Sequence, residues 1–463
     1  MFSGGTGTKE DPYLIGSVAD LEAMVAYDSP ETAGFYKQIA DIDFEWADWN
    51  NPGWFFSSYD GQWHTISNVK ITGGTYPSFF GYTTEQATIQ NVKIVNIENI
   101  QNVVTGVGGI AGAAAGMVIN CSIENGNIQN GGDYTGGIVG VGYSNSTIEN
   151  CYFSGYIKGD TETGGIAGRG EVISNCKVDA NIETTGHSVG SITGTMWGEM
   201  YQCNATGTLK QLGEVTGDSV GVLVGNLYGK VLQCTADVKV LETTTSCGGL
   251  VGIMFEGAEI ISCYSKSNIQ LEAKGFLPWL RFGGLVADAS RKNIKIKNSY
   301  YMGNINITTP DSLYDGYENA VLLGGLIAEI SYNAEVEITN CFSACDITLN
   351  NQTATPIESF KRVGRIWGYK QPSADVTAYN FSLNTTTYNG STIFPDEDKT
   401  LTGKDGQDIT IEQLKDKNTY IEKGWDFENV WDINEYYNDG FPHLRWESTE
   451  IKKIGPGDYI KLE

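Results

Sequence analysis

The chain has 463 residues, with 56 Asp plus Glu against 30 Lys plus Arg and a net charge of -26. That charge repels nucleic acid and anionic membrane at long range, and it bears on solubility rather than on fold. The 58 Gly, 25 Tyr and 40% hydrophobic content suit many short strands and turns around a sizeable core, and they exclude wholesale disorder.

The first element is a short helix. Ser17, with Asp20 three residues on, is a capping-box-like start, and Leu21, Met24 and Val25 give an apolar stripe to about Tyr27. No run of about 18 apolar residues occurs, so membrane insertion is not expected. The opening "MFSGGTGTKEDPY" carries no basic and apolar leader.

A glycine-flanked apolar run then recurs. After "PSFFG", ending at Gly81, come "GGIAG" at Gly108, "GGIVG" at Gly136, "GGIAG" at Gly164, "GSITG" at Gly190, "GVLVG" at Gly221 and "GGLVG" at Gly248. Degenerate copies follow at Gly283, Gly324 and Gly364. Starts from 108 to 248 differ by 28, 28, 26, 31 and 27 residues, a period that indicates a solenoid. Between the runs lie "IQNV" at Ile89, "VINC", "IENC", "ISNC", "MYQC", "VLQC", "IISC", "IKNS" and "ITNC". Period-two alternation continues past them, so each marks a strand with one buried face. One such strand pair cannot bury its face alone, whereas stacked copies about 4.8 Å apart can. The expected fold is all-β: a right-handed parallel β-helix of nine or ten rungs, roughly 45 Å long, with a short N-terminal capping helix and an aromatic-rich C-terminal cap.

The repeat resembles that of GLUG-motif proteins, bacterial and phage surface repeats also found beside the catalytic domain of immunoglobulin A peptidases. "GTGTKEDPYLIGSVADLEAM" and "YKQIADIDF" resemble that family's opening segments. "YDGQWHTISNVKI" resembles its next stretch, departing at Gln62 and Trp63, while "GWDFENVWDI" and "GFPHLRW" resemble its close. The resemblance implies the fold strongly and function only weakly. The expected division is 1–75 for the cap and first strands, 76–370 for the repeats, 371–446 for the last rungs and cap, and 447–463 for a charged tail. A second helix is expected near Ile411 to Lys415. Trp425, Phe427, Trp431, Phe441, Pro442 and Trp446 are expected to plug the C-terminal end.

The chemistry read from these residues is sparse. His64, His187 and His443 form no metallopeptidase HExxH, no "GxSxG" elbow occurs, and no phosphate loop is present. "DEDKTLTGKDGQD" lacks the spacing and terminal Glu of an EF-hand. No cofactor or metal is expected. The nine cysteines have no CxxC pair. In-register thiols on adjacent rungs keep their Cβ atoms near 4.8 Å apart, beyond the usual disulfide range of about 3.5–4.5 Å. They are expected to be free and buried, packing as small hydrophobes. The preceding Asn, Gln or Ser is expected to form a stacked amide ladder.

Binding is expected where the rungs lengthen. From the cysteine position to the next glycine run takes 15, 13, 14, 18 and 14 residues in early copies, then 20, 25 and 23. Insertions therefore gather at one phase, where loops on a rigid scaffold carry recognition. Phe276, Trp279 and Arg281 lie in the first, and Asp311, Tyr314, Asp315 and Tyr317 in the second. Aromatics beside carboxylates suit contacts with sugar or protein.

The expected function is non-catalytic recognition or adhesion at a bacterial cell surface, with a glycan or protein partner and no nucleic acid. A homo-oligomer is compatible with the sequence. One alternative is a phage tail or virion fibre, which needs no leader and tolerates free thiols. Another is a polysaccharide-degrading β-helix enzyme. Three or more charged residues converging in one groove favour the enzyme, and a plain Thr, Asn and Tyr face favours adhesion.

Overall fold

The computed structural model describes residues 2–212, 219–243, 246–272, 280–308, 321–350, 362–392 and 394–448. The chain winds as a parallel β-helix. A typical turn comprises Val139–Gly142, Thr147–Glu149 and Tyr152–Gly159, each paired in parallel with its counterpart one turn on. Backbone bonds run through all ten glycine runs, from Phe79 N to Gly109 O, Gly109 N to Gly137 O, and onward to Gly325 N and Gly364 O.

Where a run has a second glycine, that glycine makes room inside the rod. A Cβ at Gly137 would meet the Phe153 ring at 2.5 Å, and one at Gly284 would meet the Tyr301 ring at 2.2 Å. Where the run carries Val222 instead, the residue at the opposing phase is the small Ala236. In these three rungs a large side chain faces a small one, as close packing favours.

The residue before each of the seven ladder cysteines, and before Val92 and Ser299 at the same phase, sits at a corner. Asn91, Asn120, Asn150, Asn175, Gln202, Gln233, Ser262, Asn298 and Asn340 all have φ between 50° and 56°. Asn tolerates this left-handed region better than most residues. The expected amide ladder forms in part, with Asn120 Nδ2 donating to Asn91 Oδ1 at 3.1 Å, Asn150 to Asn120 at 3.0 Å and Gln202 to Gln233 at 3.0 Å.

All nine cysteines are free and buried. Packing is only part of their role. The N–H of Cys151 donates to Cys176 Sγ at 3.4 Å, that of Cys203 to Cys234 Sγ at 3.3 Å, and that of Cys234 to Cys263 Sγ at 3.3 Å. The corner leaves this N–H inside the rod, and the next rung's side chain accepts it. Ser299 Oγ does the same for Cys263 N at 3.1 Å, and Asn380 Oδ1 for Cys341 N at 3.1 Å. Burial pushes the Cys247, Cys341 and Cys345 thiols up to about 12.

The N-terminal mouth is closed by α1 (Val18–Tyr27), whose Ser17 cap accepts from Asp20 N and whose Leu21 and Met24 are buried. At the other end, Arg365 occupies the phase of the inward glycines. It is 1% exposed, its Nη1 lies 2.7 Å from Asp408 Oδ1, and its guanidinium lies 5.2 Å from the Phe394 ring centre. The aromatic-rich C-terminal cap therefore does not cross the lumen. Its helices α2 (Ile411–Leu414), α3 (Lys417–Ile421) and α4 (Arg445–Ser448) belong to a segment seated on the rod's outer side. There Trp425, Phe427 and Trp431 form a second core with Tyr300, Phe342 and Phe381, outward residues from three successive rungs. Phe441 and Trp446 pack against that core, and Trp446 Nε1 donates to Ser262 O at 3.0 Å.

Glu447, expected to open a charged tail, belongs to α4 and to this contact. Its carboxylate accepts from Leu444 N at 2.6 Å and from the Tyr300 hydroxyl at 3.1 and 3.2 Å. Burial raises its pKa to about 7.

Two measurements test these interactions. Cys176→Ser keeps an acceptor for Cys151 N, and Cys176→Ala removes it; chemical denaturation should show the Ala variant less stable than the Ser variant by about 1 kcal/mol or more. A carboxyl whose folded pKa is raised contributes stability fully present below its unfolded value of about 4.5 and lost as pH rises through about 7. The stability of wild type relative to Glu447→Gln should therefore fall by about 3 kcal/mol between pH 4 and pH 8.

Candidate functional site

The lengthened rungs open at one corner. The chain leaves from rows that stack in register, Gln270–Asn306–Thr348 and Glu272–Thr308–Asn350. It returns at a second stacked row, Leu280–Val321 and Phe282–Leu323–Val363. The points where the chain leaves and rejoins the rungs therefore stack along one edge of the rod. Of the residues expected to bind, Phe276, Trp279, Asp311, Tyr314, Asp315 and Tyr317 lie outside the described residues.

Arg281 stands where the first long insertion rejoins the sheet. It does not project as a free contact. Its Nε pairs with Glu329 Oε2 and lies 4.0 Å from Asp288 Oδ2. Gln371 Nε2 donates to Glu329 Oε1 at 2.8 Å, and Ser331 Oγ donates to Asp288 Oδ1 at 2.6 Å. Asp288 is 9% exposed and Glu329 3%. Burial raises the Asp288 pKa to about 6, opposed by the Arg281 charge and the Ser331 hydrogen bond.

These carboxylates belong to a column that runs the length of the rod. Register places Trp54, Tyr82, Ala113, Val141, Arg169, Thr195, Asn226, Ile253, Asp288, Glu329 and Tyr369 on one outward line. Its middle is flanked by a ring stack. Trp197, Tyr228 and Phe255 lie 4.2 Å apart at interplanar angles of 3° and 5°, and the Arg169 guanidinium sits 4.9 Å from the Trp197 ring centre. Those rings cover the faces they share.

The N-terminal end of the column differs. Trp54, 51% exposed, leans on Tyr82 at 4.3 Å and 43°, with Phe56 at 6.3 Å. Tyr76 and Tyr143 flank Tyr82 at 5.7 and 5.9 Å, and Tyr143 is 41% exposed. As the first member of its column, Trp54 leaves one indole face uncovered by a rung. Sequence reading missed this patch and the Asp288–Glu329 pair. A signal exists, since the column takes the residue five past the first glycine of each run, at Arg169, Asp288 and Glu329.

No family model matches the chain. A stretch of 190 residues, 37% of the chain, is 29% identical to halomucin of Haloquadratum walsbyi and spans 2% of that protein. A stretch of 107 residues, 20% of the chain, is 32% identical to a protein of Evansella cellulosilytica provisionally named a Gly-rich membrane protein, and spans 12% of it. A crystal structure from Bacteroides ovatus, provisionally described as an immunoglobulin A1 protease, aligns over 96% of this chain and 95% of its own. Its sequence identity is 18% and its TM-score 0.28, too low to establish a shared fold. Among the described residues, no helix is long and apolar enough to cross a membrane.

Arg281→Ala strands two buried carboxylates, and removal of one partner from such a pair costs about 3–5 kcal/mol. Denaturant titration should show a loss of that order, with Arg281→Lys intermediate because Lys lacks the planar fork.

Proposed function

We propose that this chain is a non-catalytic recognition protein of a cell surface, binding a surface glycan or protein along one side of a rigid rod. The observation that carries this reading is the aromatic patch of Trp54, Tyr76, Tyr82 and Tyr143, in which Trp54 and Tyr143 are exposed and Tyr76 and Tyr82 half-buried. It heads the outward column whose far end holds Asp288 and Glu329 beside Arg281. Solvent-exposed Trp and Tyr offer apolar area with a polar tip and suit amphipathic partners. The partial likeness to halomucin and to a Gly-rich membrane protein supports a surface setting.

One observation favours a second reading, a polysaccharide-degrading enzyme. Arg281, Asp288 and Glu329 converge in one place, and Asp288 has a raised pKa suited to a general acid. The first reading stands ahead because both Glu329 oxygens are engaged and the two carboxylates are nearly closed to solvent. A general acid must reach its substrate.

The test uses labelled full-length chain on arrays of surface glycans and surface proteins. Binding should fall at least tenfold in Trp54→Ala/Tyr82→Ala and persist in Asp288→Asn. Equal binding by wild type and the double variant would sink the patch. Release of new sugar reducing ends by wild type, lost in Asp288→Asn, would replace recognition with catalysis.

A further inference from the structure

A second concavity lies elsewhere on the rod. The strand Asn204–Gln211 bends at Gly207, where φ is 109° and a Cβ would meet the Ala180 carbonyl oxygen at 2.1 Å. Gly155 makes the corresponding bend two rungs earlier, at φ 141°. In later rungs the strand is interrupted near this phase, between Ser265 and Asn268 and between Tyr301 and Ile305, and a cavity of about 430 Å³ lies on the outer face. Asp237, Lys239, Asn268, Gln270, Asn304 and Asn306 line it. All six are exposed.

The asparagines here are wired differently from the corner ladder. Asn268 Oδ1 accepts the backbone N–H of Asn304 at 3.2 Å, and Asn304 Oδ1 accepts that of Asp346 at 3.3 Å. Asn306 Oδ1 accepts from Asn350 Nδ2 at 3.1 Å. Each carbonyl is thus held by the next rung. Each amide nitrogen has no acceptor among the described residues, so three oriented donors are left over at successive positions. Gln270 adds an amide with no side-chain partner among the described residues, Lys239 a donor and Asp237 an acceptor.

We infer that this bend is a binding site for a short segment of a neutral, hydroxyl-rich oligosaccharide lying along the rod axis. Fixed amides facing solvent match ligands that both donate and accept at many points, and their orientation removes part of the ordering cost of binding. Rungs repeat every ~4.8 Å, close to the length of one pyranose residue, so neighbouring Asn268 and Asn304 can address neighbouring sugars. The cavity volume falls within the usual range of about 300–1,000 Å³ for small-ligand sites. A protein partner fits less well, because none of the six residues is an aromatic or Arg anchor. A polyanion fits less well too, since Asp237 and Lys239 cancel locally within a chain of net charge -26. The site stands apart from the aromatic patch and does not depend on the function proposed for it.

The experiment is calorimetric titration of the full chain with cellotetraose, maltotetraose, xylotetraose, mannotetraose and tetragalacturonate. At least one neutral tetrasaccharide should bind. Its affinity should fall tenfold or more in Asn268→Asp and Asn304→Asp, which keep the accepting oxygen and replace the donor, while Trp54→Ala binds as wild type does. Circular dichroism and melting curves of the Asp variants should match wild type, separating lost binding from lost fold. No binding by any neutral probe at 10 times the protein concentration and upward to ~10 mM would overturn the inference, ~1 mM corresponding to only about -4 kcal/mol. So would a preference for tetragalacturonate, or binding indifferent to both Asp variants.

Discussion

The rod rests on one repeated interaction, the hydrogen bond between the same position of consecutive rungs. A parallel sheet wound on itself works only if every turn returns to the same register, because a slip of one residue sends the whole buried face to solvent. The left-handed corner before the cysteine position keeps that register. It redirects the chain at one fixed point per turn, and it turns one N–H inward at a place no strand partner reaches. The acceptor has to be small enough for the lumen and able to take a hydrogen bond. Cysteine, serine and Asn380 all meet both demands. Cysteine adds apolar bulk, which suits it to rungs that also need filling.

The same constraint governs what the rod can display. Outward positions stack into columns, so a single substitution at one phase acquires neighbours a rung above and below. Mutually stacked rings such as Trp197, Tyr228 and Phe255 cover one another and stabilise the surface. Ring faces are therefore left without a stacked neighbour only where a column ends, as at Trp54. The lateral placement of the C-terminal segment follows as well. Tyr264, Tyr300, Phe342 and Phe381 form an outward apolar column on the last rungs, and such a face needs cover. The lumen had less need of an aromatic plug, because Arg365 with Asp408 and Phe394 closes it.

Much of the fold was legible from the repeat. The glycine spacing, the phase of the cysteines and the points where the long segments leave and rejoin the rungs all correspond to described rows of the structure. The capping helix was legible from Ser17 and Asp20. The site was far less so. Arg281 was picked out as a loop residue able to meet a ligand, yet it is occupied by Glu329 and Asp288, partners 48 and 7 positions away. Asp288 and Glu329 look unremarkable in sequence because their neighbourhood is made across rungs. The amides of Asn268 and Asn304 read as ordinary strand-exterior residues until their carbonyls are seen to be bonded.

By itself, the sequence determined the repeat length, the buried phase of each rung, the free state expected of the thiols and the chemistry of the caps. These follow from local periodicity and from side-chain size, which act within one turn of chain. Tertiary structure alone decided which outward residues became neighbours, where the C-terminal aromatics docked, and which polar groups were left with bonding capacity to spare. The outward neighbours depend on axial stacking between residues some 25 to 45 positions apart, and the docked aromatics on contacts such as Trp446 with Ser262, 184 positions apart; both exist only once the turns are laid on one another.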